Sequence, residues 1–158
     1  MSFRLGQAAR SYFRKLEDNS RTGKFETMMD QYYLCLMAGL REPRLGKEPA
    51  ADQEFIGEFP QDYNPHRFQI LAALVSAEIR RAAIDPTDEK AVRKLMLDLL
   101  NPTASTSLSP LGSQLLNRYA EGGFEILQEA IPDPRELDQF LIKYVSRFCI
   151  DTKPPAEA

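Results

Sequence analysis

Nine cations fall within the first 47 residues: Arg4, Arg10, Arg14, Lys15, Arg21, Lys24, Arg41, Arg44 and Lys47, against five carboxylates. Residues 48–158 reverse the balance, with eleven Lys/Arg against eighteen Asp/Glu, so the net charge of −3 conceals a basic start and an acidic body. Such a start suits an anionic partner, and a DNA or RNA backbone best fits the arrangement. Attraction between the two parts of the chain is the alternative. Arg10 and Arg14, four apart, share a helix face. Arg21 and Lys24 flank Thr22-Gly23, a turn leading into a helix whose first backbone N–H groups could hold phosphate. Arg41 and Arg44 lie past the other end of that helix, about 22 Å away at 1.5 Å per residue. One phosphate could not touch both ends, but a duplex backbone could. The expected nucleic-acid-binding set is therefore Arg10, Arg14, Lys15, Arg21, Lys24, Arg41 and Arg44.

Catalytic candidates are fewer. Asp30 interrupts an apolar helix, and Glu78 falls on the apolar side of another. A buried carboxylate must be paired or neutral, so each reads first as a member of a structural ion pair, with Arg10, Arg14, Arg21, Arg80 or Arg81 as partner. A perturbed acid in a site is the second reading, and a two-carboxylate Mg²⁺ site would need more acids than the sequence brings together. The single histidine, His66, follows Asn64-Pro65 and reads as a surface or capping residue. Pairing it with Cys35 as nucleophile is disfavoured, because an apolar setting opposes a thiolate. No HExxH, CxxC, GxxxxGK[ST] or GxGxxG spacing occurs. No catalytic residue, metal or cofactor is expected.

These side chains need elements to position them. The 158 residues, 43% hydrophobic and 27% charged, read as one domain over 1–150 with a frayed tail at 151–158. Two cysteines in apolar surroundings and the lack of an apolar leader suggest a reduced, cytoplasmic chain with no membrane partner. A capping residue precedes proline at Asn64-Pro65, Asp85-Pro86, Ser109-Pro110 and Asp133-Pro134, and each pair reads as a helix start. Helices are expected at about 7–18, 25–39, 65–83, 86–100, 110–121, 124–130 and 134–149, with Gly122-Gly123 ending the fifth. "YYLCLMA", Tyr32 to Ala38, has no polar break, so the second helix should be wrapped by the others. The expectation is an all-α bundle of six to seven helices around that buried helix, with one long irregular loop at 41–63. Within the loop only "QEFIGEF" suggests a strand. Phe55, Ile56, Phe59 and Tyr63 are its candidate anchors for a protein partner.

Residues 3–40 resemble the start of the DndE-type proteins of bacterial DNA phosphorothioation systems. The features are an opening Arg4-Leu5, a helix with Leu16 near its end, the Thr22-Gly23 turn, a second apolar helix and a basic residue beyond it. The resemblance implies a small helical DNA-binding component of a modification or anti-phage assembly, touching the phosphate backbone without sequence preference and open to self-association. Arg21, Thr22, Gly23 and Lys24 fall on the matching turn, and the resemblance carries no catalytic residue. The function expected is thus a non-catalytic DNA-binding or accessory component. The alternative is a helical adaptor subunit of a larger complex, without nucleic-acid contact.

Overall fold

The computed structural model describes residues 3–149; the tail expected at 151–158 lies outside the described residues. The helices are α1 (Gln7–Asn19), α2 (Met28–Arg41), α3 (Arg67–Arg81), α4 (Glu89–Leu99), α5 (Pro110–Ala130) and α6 (Leu137–Tyr144), the last running into a π-helical turn at Val145–Cys149. One antiparallel pair, β1 (Phe3–Arg4) and β2 (Glu54–Ile56), sets Phe3 opposite Ile56. The fold is mostly helical, and one core cluster draws on every helix.

Local capping explains several boundaries. Ser109 accepts from the Gly112 N–H at 3.0 Å with Pro110 in the first helical position, as the sequence predicts. The other three proline pairs start turns instead. Asp85 accepts from the Thr87 N–H and hydroxyl at 2.9 and 2.8 Å, and α4 begins later, capped by Asp88. Asn64-Pro65 opens a short 3₁₀ turn ahead of α3. Asp133 takes a left-handed φ of 52°, and α6 begins only at Leu137. Asn and Asp before proline initiate turns as readily as helices, so the dipeptide alone does not distinguish the two.

Gly122-Gly123 does not end a helix. α5 continues through both to Ala130, merging two expected helices into one. A Cβ on Gly123 would stand 1.6 Å from the Cys35 carbonyl oxygen, and one on Gly39 would stand 1.9 Å from that of Tyr119. α2 and α5 therefore touch backbone to backbone. Glycine costs about 1 kcal/mol per residue within a helix, which this contact offsets. Tyr32, Cys35, Leu36 and Ala38 are buried against α5 and the sheet, whereas Tyr33, Leu34 and Met37 on the other side of α2 are half-buried.

The segment 41–63 is more structured than an irregular loop. It holds a 3₁₀ turn at Ala51–Gln53 and then β2. The Gly46 N–H donates to the Arg118 carbonyl at 2.8 Å, and Arg118 Nε returns a bond to the Gly46 carbonyl at 3.0 Å. These bonds lay the segment along α5.

Candidate functional site

The cations expected to meet a phosphate backbone divide into two groups. Arg10 Nε donates to the Leu5 carbonyl at 2.8 Å, and another of its nitrogens donates to the Gln53 carbonyl, so it ties the β1 end to the 3₁₀ turn. Arg41 donates to the Phe148 carbonyl at 2.5 Å. Arg44 meets Glu129 and Glu125 at 3.1 and 3.0 Å. Lys15 pairs with Asp133 at 2.6 Å, both exposed. Arg14, Arg21 and Lys24 are exposed, and their side chains make no hydrogen bond or ion pair among the described residues.

The Thr22-Gly23 turn is not an open phosphate cradle. The Arg21 N–H donates to a Glu136 carboxylate oxygen at 2.8 Å, and the Thr22 hydroxyl lies 3.3 Å from an Asp138 carboxylate oxygen. The turn thus lies against two acids at the start of α6. α2 itself begins later, at Met28, behind a capping box that takes up the Thr27 and Asp30 N–H groups. Thr27 Oγ1 accepts from the Asp30 N–H at 3.3 Å, and Asp30 accepts from the Thr27 N–H at 3.1 Å.

That capping box explains Asp30, which also accepts from the Tyr63 hydroxyl. Glu78 is buried on α3. It accepts from Arg81 Nε at 2.7 Å, from another Arg81 nitrogen at 2.9 Å and from the Tyr119 hydroxyl at 2.6 Å. Burial pushes the Glu78 pKa up, but the Arg81 and Tyr119 bonds outweigh it, and the carboxyl lies below the ordinary value. The two acids do not converge. Asp30 sits in the first turn of α2, while Glu78 bonds Tyr119, whose carbonyl abuts Gly39. Nine residues of helix, about 13 Å, separate those levels. Cys35 is fully buried, and burial followed by the Glu121 charge drives its thiol pKa well up, against a thiolate. His66 is exposed beside Asp62 and Tyr63 at a polar cleft. Among the described residues no group of three or more His, Cys, Asp and Glu side chains could hold a metal ion, and no helix is long and apolar enough to cross a membrane.

The expected partner anchors turn inward. Phe59 is 6% exposed, with its ring 4.9 Å from that of Phe3. Phe55 lies 5.6 Å from Tyr32, Ile56 pairs with Phe3, and Tyr63 lies 5.5 Å from Tyr33. Phe59 is thus part of the chain's own core, whereas Phe55, Ile56 and Tyr63 pack against that core and stay half-buried.

Two open apolar grooves lie on either side of α3. A groove of about 810 Å³ runs between α3 and α4, with Leu71, Val75 and Ile79 on one wall and Met96 and Leu100 on the other. Phe68 at its edge is 60% exposed and Met96 43%. A second groove, of about 530 Å³, lies between α2, α3 and α6 and is lined by Tyr33, Leu34, Met37, Tyr144 and Phe148. Ser76 and Arg80 line both. The sequence carried a signal for this surface. Ala91, Val92, Leu95, Met96 and Leu99 give α4 a full apolar face, yet only Leu99 is buried. No protein-family model, curated protein or solved structure matches the chain.

Proposed function

We propose that the chain is a non-catalytic helical accessory subunit of a bacterial DNA-modification or anti-phage assembly, held to a larger protein subunit by the apolar face of α3. The pair of grooves flanking α3 carries this reading. Concave apolar surfaces with a few polar groups at their rims are the kind of site in which a partner's side chains pack. The resemblance of residues 3–40 to DndE-type proteins supports the DNA-processing setting. The test is co-expression of the tagged chain with the larger proteins encoded beside it. Ala72→Glu places a charge on the exposed ridge of α3 at little cost to the helix. The expected result is loss of co-purification with thermal unfolding unchanged. Co-purification that A72E leaves intact would sink the reading.

A second role in the same assembly is favoured by one observation. Arg14, Arg21 and Lys24 are exposed and bonded to no carboxylate among the described residues. They are the cations left to contact DNA phosphates, whereas Arg10, Arg41, Arg44 and Lys15 serve the fold or an internal ion pair.

A further inference from the structure

We infer that the α3–α4 groove receives an acid-flanked amphipathic helix of a partner protein; this rests on the docking reading above and specifies its occupant. The groove has the dimensions of a helix seat. Arg67 and Arg80 stand at its two ends, thirteen residues apart on α3, or about 20 Å. That span accommodates three to four turns of helix, whose apolar side chains at i, i+4 and i+7 would enter between Leu71, Val75, Ile79 and Met96. Ala72 and Ser76 on the α3 ridge are small and exposed, which lets a second backbone come close.

The charges select the occupant. No carboxylate lines the groove, and its two charged residues are both arginines. Arg67 donates to the Asn64 carbonyl at 3.0 Å and stacks over the Phe68 ring at 4.4 Å, while its Nε is buried without a hydrogen-bond partner. Arg80 donates to the Leu40 and Arg41 carbonyls at 2.7 and 3.0 Å. Carbonyls orient a guanidinium but do not neutralise it, so both charges remain for an incoming anion. A second copy docked face to face about a two-fold axis would set arginine against arginine at each end, which opposes self-pairing. Aspartate or glutamate at both ends of a partner helix would meet the two cations.

The test uses the full chain and a displayed library of 18-residue amphipathic helices with fixed apolar positions and randomised flanks. Selected clones should carry excess Asp/Glu in the flanks. Synthesised and labelled, they should bind A72E at least tenfold more weakly by fluorescence anisotropy. Exchanging flanking Glu for Lys should also weaken binding tenfold, and R67E should recover part of that loss. Selection of neutral or basic flanks, or of no clone sensitive to A72E, overturns the inference. Light scattering on the same sample separates this failure from failure of the docking reading. A dimer that A72E converts to monomer makes a second copy the occupant and overturns the acidic-helix inference, while docking through α3 survives. Unchanged co-purification of A72E with the larger subunit removes the docking reading itself.

Discussion

Gly123 on α5 lies against the carbonyl oxygen of Cys35 on α2, so close that an added Cβ would fall 1.6 Å from it. The reciprocal approach of Gly39 to the Tyr119 carbonyl, at 1.9 Å for a built Cβ, shows that the two backbones are in contact over a turn of each helix. The central pair of the fold therefore depends on the absence of side chains.

Gly123→Ala tests this directly. Helix propensity alone would favour alanine by about 1 kcal/mol. The clash is with backbone that cannot rotate away, so overpacking wins, and a net loss of about 3 kcal/mol is expected. Gly57→Ala is the control, since its Cβ would meet only Glu54 Oε1 at 3.9 Å. Urea midpoints should fall sharply for G123A and little for G57A. Equal midpoints would mean that the two helices do not pack this closely.

Glu78 makes an acid-side prediction. Its folded pKa lies below the unfolded carboxylate value of about 4.3. A depressed carboxylate pKa contributes stability that is present above the unfolded value and is lost as pH falls through the folded one. Glu78→Gln removes that contribution. It should cost about 2 kcal/mol at pH 7, less than a fully buried pair because Arg81 is 40% exposed. The gap between wild type and variant should narrow below pH 4 in thermal unfolding. A gap that does not change with pH would show the pair to be electrostatically idle.

Glu121 should behave in the opposite sense. Burial raises its carboxyl pKa; the Gly6 N–H, donating at 2.6 Å, counters this in part, and the Glu125 charge adds to the rise. A raised carboxylate pKa means that the folded state holds the proton more tightly, so stability is lost as pH climbs through the folded value. Glu121→Gln keeps an oxygen for the Gly6 N–H and carries no charge. Its melting temperature should exceed that of the wild type at pH 7 and match it near pH 4. A lower value at pH 7 would show that the charge-assisted bond to Gly6 outweighs burial.

DNA contact is tested at three cations. Charge reversal at Arg14, Arg21 and Lys24 together should abolish binding to labelled duplex DNA at low salt with the circular dichroism spectrum unchanged. Replacing them one at a time with alanine should instead leave weaker binding whose logarithmic salt dependence is flatter by about 0.9 per contact. Arg10 belongs to a different class. Reversing its charge should unfold the β1 end, because its guanidinium holds the Leu5 and Gln53 carbonyls. Duplex binding that survives the triple reversal would remove the phosphate-contact role.

Helix identity was legible because it rests on local rules. Apolar residues recur at helical spacing along α1, α3 and α4, and Ser109-Pro110 caps α5 with atoms only three residues apart. "QEFIGEF" also signalled the single strand found in the segment 41–63. The fates of the side chains were not legible, because each depends on a partner far along the chain. Phe59 reads as a loop anchor until Phe3 covers it, and Arg44 reads as a free cation until Glu125 and Glu129 arrive from α5. Gly122-Gly123 satisfies the local rule for a helix stop equally well as the rule for close approach. Only the arrival of α2 and of the segment that follows it, whose Cys35 and Arg44 carbonyls occupy the space a side chain would need, decides between them. The sequence by itself thus determined a helical chain with a basic start and an apolar second helix. Tertiary packing decided which cations stay free and left the face of α3 open, since long-range contacts consume some apolar and charged groups and spare others.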